Sequence, residues 1–226
     1  MTGALRVILE VGPKRRVVAA AMDWPGLDRW SISDEAAVET LTNYLPRYTD
    51  VARRAGLADT FAAESRPDVV ERVPGSSSTD FWGVPHVPSQ IERQVLSEAD
   101  LERRLTLLQA TWAYFDDVAN RVSPDLRKSA RGAGRDRDEI IEHVYWSERH
   151  QFWRKVGYRQ PDDLALTPRE LAGHRSAYLD AIRAYNAEGK PTRSWPIQFL
   201  IRRTAHHVMD HAWEMEDKNL STEARP

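Results

Sequence analysis

The sequence predicts an α+β protein in which a small N-terminal ββ(β)α domain precedes an all-α, up-and-down four-helix bundle. Two observations support this fold class. Short segments rich in β-branched residues, separated by turn residues, fill the first part of the chain. Further on, apolar residues recur at the three- and four-residue spacing of amphipathic helices. We therefore expect a first domain at residues 1–58, a connecting segment at 59–92 and a helical domain at 93–226.

The first domain begins with two predicted strands, Leu5–Val11 and Arg16–Met22. The turn residues Gly12-Pro13-Lys14 lie between them and favour a tight connection. Trp30-Ser31-Ile32 is a candidate third strand. Ser33 then predicts a helix N-cap, because two acidic residues follow it where the helix dipole favours negative charge.

The end of the first domain is marked by a change in composition. The helix that starts after the cap is expected to continue to Arg54, with a kink or an end at Pro46. Segment 59–92 then contains four prolines and the run Gly75-Ser76-Ser77-Ser78, and no helical period persists through it. It is predicted to be a linker or a wrapping segment, in which residues 68–73 could add an edge strand to the first domain.

Four helices are predicted in the second domain. Thr167-Pro168-Arg169-Glu170 is a capping box with proline at the first helical position, so it starts a helix. Gly157 and Gly189 stand where two of the helices should end. Four amphipathic helices of this length favour an up-and-down bundle. The expected bounds are about 97–121, 137–156, 167–187 and 196–219.

Composition narrows the classes of function. The net charge of −2 comes from nearly balanced acids and bases, so no nucleic-acid-binding field is expected. The chain has no cysteine, so a metal must be held by nitrogen and oxygen ligands, and a reactive thiol must come from another molecule. The N-terminus does not resemble a signal peptide, and no apolar run reaches the roughly 20 residues that span a bilayer. A cytoplasmic protein without a membrane partner is therefore expected.

Three histidines form the strongest functional pattern. His207 and His211 are four residues apart on a predicted helix, so they lie on one face at a spacing that suits one metal ion. His143 lies on another predicted helix, and packing of the two helices would give a three-histidine site with open metal positions. His206 points about 100° away from the pair, and His150 lies about 10 Å beyond His143 along its helix. Neither is expected to bind the same ion.

The candidate site lacks the general base of the zincin motif, because Val208 stands where that motif has glutamate. Water or a thiol activated by the metal is the expected reactive group. Glu142, Asp210 and Glu214 are candidates for hydrogen-bond partners that fix the imidazole tautomers. The alternative is that the histidines only pack in the core or at the surface. The pair Arg202-Arg203 is predicted to be solvated or salt-bridged, with binding of an anionic group as its alternative.

The second domain resembles the DinB/YfiT-like superfamily of bacterial metal-binding four-helix bundles. The resemblance covers about Gln90 to Asn219 and depends on two motifs, Ile141–Arg149 and Arg203–Glu214. Its known members include mycothiol- or bacillithiol-dependent S-transferases and a maleylpyruvate isomerase. The resemblance implies a divalent metal, zinc first and nickel or iron as alternatives, and a low-molecular-weight thiol as cosubstrate. The implied ligands are His143, His207 and His211.

The first domain resembles the HicB-like ββ(β)α domain at Asp23-Trp24-Pro25-Gly26 and Asp34-Glu35-Ala36-Ala37. HicB antitoxins bind a toxin and carry a separate DNA-binding segment. No helix-turn-helix or basic ribbon is evident in this chain, so no nucleic-acid partner is expected. The domain is expected to pack on the bundle or to mediate dimerisation. The shape of the substrate pocket should depend on how this domain and the segment Trp82-Gly83-Val84-Pro85-His86 cover the bundle.

The sequence thus predicts a metal-dependent enzyme that acts on a small molecule as a thiol S-transferase, a hydrolase or an isomerase, and that forms a homodimer. The alternative is a non-catalytic, metal-stabilised binding or regulatory protein that acts through its HicB-like domain. A third hypothesis places non-haem iron on the three histidines, as in thiol-histidine sulfoxide synthases with a similar bundle. Those enzymes carry a further catalytic domain, which is not evident in this sequence.

Overall fold

The computed structural model describes residues 3–130, 132–159, 167–189 and 194–220. These residues form a mixed α+β structure, with a four-stranded sheet in the N-terminal part. The two hairpin connections are antiparallel, whereas the last strand runs parallel to the first, because the helices between them form a crossover. The strands, in sheet order, are β3 (Asp28–Ser31), β2 (Val17–Ala21), β1 (Ala4–Val11) and β4 (Arg66–Pro74).

Local capping explains where the first helices begin. The Ser33 hydroxyl accepts a hydrogen bond from the Ala36 amide at 3.2 Å, as expected of an N-cap. The predicted helix breaks at Tyr44, two residues before Pro46, which occupies the first turn of the next helix and so costs no hydrogen bond. The four helices of the N-terminal part are α1 (Asp34–Asn43), α2 (Leu45–Arg54), α3 (Ala58–Ala63) and α4 (Ser77–Trp82).

Segment 59–92 differs from the irregular linker that its composition predicts. It holds most of α3, the whole of β4 and the whole of α4. The candidate strand at 68–73 is present and extends over Arg66–Pro74. β4 lies at the sheet edge, where the prolines Pro67 and Pro74 near its ends are tolerated. Ser76 and Thr79 form the capping box that starts α4.

The described residues of the C-terminal part form four longer helices, of which α8 packs against the other three. The predicted second helix is α-helical only to Ser147; it continues as a π-helix, Glu148–Phe152, and a 3₁₀ turn, Trp153–Val156. Gly157 ends it with a φ of 74°, a value that favours glycine. The four helices are α5 (Glu98–Arg121), α6 (Arg137–Ser147), α7 (Pro168–Ala187) and α8 (Ile197–Asp217).

One hydrophobic core joins the sheet to the long helices. Buried side chains of β1 and β2 belong to the same cluster as those of α5 and α8. The buried Arg202 of α8 adds polar contacts, because it donates to Asp28 of β3 at 2.8 Å and to Glu92 at 2.6 Å. The sheet therefore sets the position of α8, which carries two of the three candidate ligands. Within the described ranges, every helix is too short or too polar to cross a membrane.

Candidate metal centre

The three predicted ligands converge in the structure. Ring nitrogens of His143, His207 and His211 all lie within 4.8 Å of one another. The ring centroids are 4.7 to 5.0 Å apart, and the rings meet edge to face rather than stacking. α8 supplies two of the rings one turn apart, and its contact with α6 brings the third opposite them. The arrangement could hold one metal ion, with positions left for other ligands.

Burial keeps the imidazoles of His143 and His207 in the neutral form that binds metals. Desolvation, reinforced by the neighbouring His211 and by Arg135, lowers the pKa of His143 to about 4. Desolvation followed by the neighbouring His211 holds the pKa of His207 far below its ordinary value. A neutral imidazole has a free lone pair on one nitrogen. No proton therefore has to leave these two side chains at neutral pH before an ion can bind.

Glu214 orients one of the three rings. Its carboxylate lies 2.7 Å from Nδ1 of His211 and also accepts a hydrogen bond from Lys218 at 2.5 Å. The hydrogen bond from His211 lowers the pKa of Glu214 to about 2, so the carboxylate is charged and Nδ1 carries the proton. The Nε2 lone pair of His211 is then free to bind an ion. Nε2 of His207 is buried and has no hydrogen-bond partner among the described residues, which fits a metal ligand.

The other two candidate partners have no hydrogen bond to the triad in the described part of the chain, although Asp210 lines the same cavity. Asp210 accepts a hydrogen bond from Arg29 at 2.9 Å, because α8 turns that side chain toward β3. Glu142 is exposed on α6. Of the three acids that the sequence offers, Glu214 is the one seen bound to a candidate ligand in the described part of the chain.

His206 and His150 lie outside the triad, as helix geometry predicts. His206 is 3% exposed, and its Nδ1 lies 3.7 Å from the carboxylate of Asp28. His150 packs on the ring of Trp146, with centroids 4.7 Å apart, and its Nδ1 lies 3.0 Å from a guanidinium nitrogen of Arg154. His206 is thus a core residue on one side of the triad, and His150 is a half-buried residue of the π-helical turn.

The triad forms part of the wall of a cavity of about 490 Å³. This size is in the range of small-molecule sites. Trp82 and His86 line it, so the segment that the sequence suggests as a cover does reach the site. The buried carboxylate of Glu10 on β1 holds this segment, because it accepts hydrogen bonds from the amides of His86, at 2.9 Å, and Val87, at 3.0 Å.

Three further lining residues, His86, Gln151 and Arg203, are not predicted as site residues from the sequence. No helical period marks His86, and Gln151 lies in the π-helical turn that follows α6. The prediction for the arginine pair was right for Arg202, which is salt-bridged to Asp28 and Glu92. Arg203 points to the other side and is not paired in this way. The sequence could have pointed to Arg203 through the alternative stated for the pair Arg202-Arg203, which is binding of an anionic group.

Comparison of the chain with protein-family models, with curated proteins and with solved structures gives no match. The resemblances to the DinB-like and HicB-like families therefore stay predictions from their motifs. The histidine cluster itself depends on neither of them.

Proposed function

We propose that the protein is a divalent-metal-dependent enzyme of the DinB-like type, and that its helical part is a DinB-like four-helix bundle. The proposed reaction is the transfer of a small-molecule thiol to an electrophile, with hydrolysis or isomerisation as related possibilities. The observation that carries the proposal is the convergence of three histidines on the wall of a small-molecule-sized cavity. A purely structural metal site is usually closed, whereas a catalytic one keeps a position open.

His143, His207 and His211 would hold the ion, with zinc proposed first and nickel or iron as alternatives. When bound, it supplies Lewis-acid chemistry that lowers the pKa of water or of a thiol. Three neutral ligands leave its positive charge undiminished, which favours an anionic thiolate or hydroxide. Because the chain has no cysteine, the sulfur belongs to a cosubstrate.

The protein's own residues prepare this site. Glu214 fixes the tautomer and orientation of His211 through the 2.7 Å hydrogen bond. Glu10 holds the segment that covers the cavity, which limits the access of water from that side. The sheet, the covering segment and the helices thus act together, and we propose that the N-terminal part completes the pocket.

A thiol-dependent turnover assay tests the proposal. Zinc-loaded protein is incubated with mycothiol or bacillithiol and a chlorodinitrobenzene electrophile, and loss of free thiol is measured. We expect turnover in the wild type and in His150→Ala, whose ring lies outside the triad, and none in His207→Ala. Turnover that needs the metal but not the thiol would favour hydrolysis or isomerisation. Turnover retained by metal-free His207→Ala would contradict metal catalysis.

One observation favours the second candidate, a metal-stabilised binding protein. Phe81 and Trp82 are 68% and 64% exposed and pack edge to face, with centroids 4.5 Å apart. Trp30, also exposed, lies beside them at Gly83. An exposed aromatic patch of this kind is typical of a protein-binding surface, for a partner or for a second copy in the expected homodimer. This candidate predicts that metal removal lowers the melting temperature and that the bound metal exchanges no small ligand.

A further inference from the structure

Arg203 is a largely buried cation without a counterion in the described part of the chain. It lies on α8, one turn before His207, and lines the cavity of the triad. Its Nη1 is buried, and no described residue accepts a hydrogen bond from it or forms an ion pair with it. Burial lowers the pKa of Arg203 to about 10, even though Asp28 and Asp210 act in the opposite direction. A buried guanidinium without a partner is unfavourable unless something supplies the missing negative charge.

The acids that raise the pKa of Arg203 bond to other residues. Asp28 pairs through Oδ1 with Arg202 at 2.8 Å, while its Oδ2 has no hydrogen-bond partner among the described residues. Asp210 pairs through Oδ1 with Arg29 at 2.9 Å. Glu10 is occupied by the covering segment. Arg203 thus lines the cavity without an ion-pair partner among the described residues, although ion pairs form around it.

Other polar atoms without a partner belong to residues that line the same cavity. Nε2 of His86 and both ring nitrogens of His206 are buried and have no hydrogen-bond partner among the described residues. His206 is 3% exposed, so its unpartnered nitrogens lie in the protein interior and not at the surface. Arg203, His86 and His206 all line this one cavity. One fixed cation and two neutral imidazoles therefore converge on one space.

We propose that Arg203 is the anion-binding residue of this cavity and takes the carboxylate of a small-molecule substrate or cosubstrate beside the three-histidine centre. The proposal deepens the proposed function and rests on it for the identity of the reacting centre. A single guanidinium matches a carboxylate in charge and can donate two parallel hydrogen bonds to it. Phosphate sites usually add backbone amides at a helix N-terminus. Arg203 lies well inside α8, so that helix offers no free N-terminal amides beside it.

Binding of propionate to the metal-free protein tests the carboxylate site by itself. We expect propionate to bind the wild type in calorimetric titration, and propionamide, its neutral analogue, not to bind. Arg203→Met should weaken propionate about ten- to a hundredfold, the usual effect of losing a charged hydrogen bond. The control is Arg135→Met, which removes an exposed arginine at the same cavity and should change affinity by less than about threefold. Equal propionate binding by wild type and Arg203→Met, or no binding to either, would overturn the proposal.

Thermal unfolding tests whether Arg203→Met is folded, and the melting temperature gives a second measure of propionate binding. Because the change removes an unpaired buried charge, metal-free Arg203→Met should melt at the same temperature as the wild type or higher. Propionate should raise the melting temperature of the wild type and leave that of the variant unchanged. A variant that propionate still stabilises as strongly as it does the wild type would contradict the proposal.

Cobalt loading separates failure of this proposal from failure of the metal centre. Co²⁺ should bind wild type and Arg203→Met equally, and absorption of a cobalt–thiolate complex should report added thiols. We expect 3-mercaptopropionate to bind cobalt-loaded wild type about tenfold or more tightly than 2-mercaptoethanol does, and Arg203→Met to lose this preference. If Co²⁺ fails to bind while propionate still requires Arg203, the metal proposal fails and the carboxylate site stands. If Co²⁺ binds but the preference is unaffected by Arg203→Met, the carboxylate site fails.

Discussion

Arg202 and Arg203 are neighbours on one helix, yet they serve two different regions. Arg202 is 2% exposed, and its guanidinium donates to Asp28 and to Glu92. Glu92 also accepts from the amide and the hydroxyl of Ser89. Arg203 faces the cavity of the triad, where it has no acceptor among the described residues. On one side of α8 a buried charge is satisfied, and on the other side it is not.

The difference separates a structural cluster from a binding site. A satisfied network fixes how two elements pack, and here it joins β3 and the segment before α5 to α8. Unsatisfied buried donors and lone pairs are unfavourable in the protein alone and become useful when a ligand supplies their partners. The unpartnered nitrogens of His86, Arg203, His206 and His207 all lie along the same cavity. In the cluster around Arg202, by contrast, the guanidinium is paired with two carboxylates, and Oδ2 of Asp28 is the oxygen of those carboxylates that lacks a partner among the described residues.

The largest expected effect is the loss of stability when Arg202 is removed from its ion pairs with Asp28 and Glu92. Arg202→Met leaves the carboxylates of Asp28 and Glu92 buried without their cation, which should lower the free energy of unfolding by about 3–5 kcal/mol. Arg203→Met, its matched control on the next residue, should cost nothing or stabilise the protein. Urea unfolding of the metal-free variants measures both. Similar destabilisation by the two changes would abolish the distinction between the two sides of α8.

The second prediction concerns His211, whose ring is held by a hydrogen bond to Glu214. Glu214→Gln removes the charge that fixes Nδ1–H of His211, so metal affinity should fall about ten- to a hundredfold. Competition with a chelating dye measures the affinity. Glu142→Gln is the control, since Glu142 is exposed on α6. If Glu214→Gln leaves the metal affinity unchanged, Glu214 does not contribute to metal binding.

A third prediction tests how the sheet holds the cavity wall. Glu10→Gln keeps the side chain's size but weakens its hydrogen bonds to the amides of His86 and Val87. Opening of this segment should become easier by about 1–3 kcal/mol, the cost of impairing a buried hydrogen-bonded group. Faster hydrogen exchange of residues 86–87, with exchange in α5 unchanged, is the expected result. Uniformly faster exchange would show that Glu10 supports the whole fold instead.

The smallest expected effect is a dependence on pH. Burial holds the pKa of His207 far below 6.5, so below that pH the unfolded chain binds a proton that the native metal-free protein does not. The contribution of His207 to stability is therefore lost as the pH falls below about 6.5. The free energy of unfolding of His207→Gln should decline less steeply than that of the wild type between pH 6.5 and 5. Parallel curves would mean that His207 is protonated in the native protein.

Local sequence signals predict the helices and the triad well, because both depend on spacing along one chain segment. The expected starts of α5 and α7 agree with the structure to within one residue. Features that depend on distant residues are harder to predict. β4 alternates between exposed and half-buried positions, so it has little apolar signal, and its parallel partner is far away in the sequence. The burial of Arg203 likewise depends on the packing of distant segments around the cavity, which no periodicity in α8 reveals.

Metal content of untagged, purified protein tests the central claim most directly. Plasma mass spectrometry should find about one zinc, nickel or iron per chain in the wild type and in His150→Ala, and almost none in His207→Ala. That result would establish an ion on His143, His207 and His211. Absence of metal from the wild type, even after loading with each of the three ions, would contradict the account and leave the histidines as packing residues.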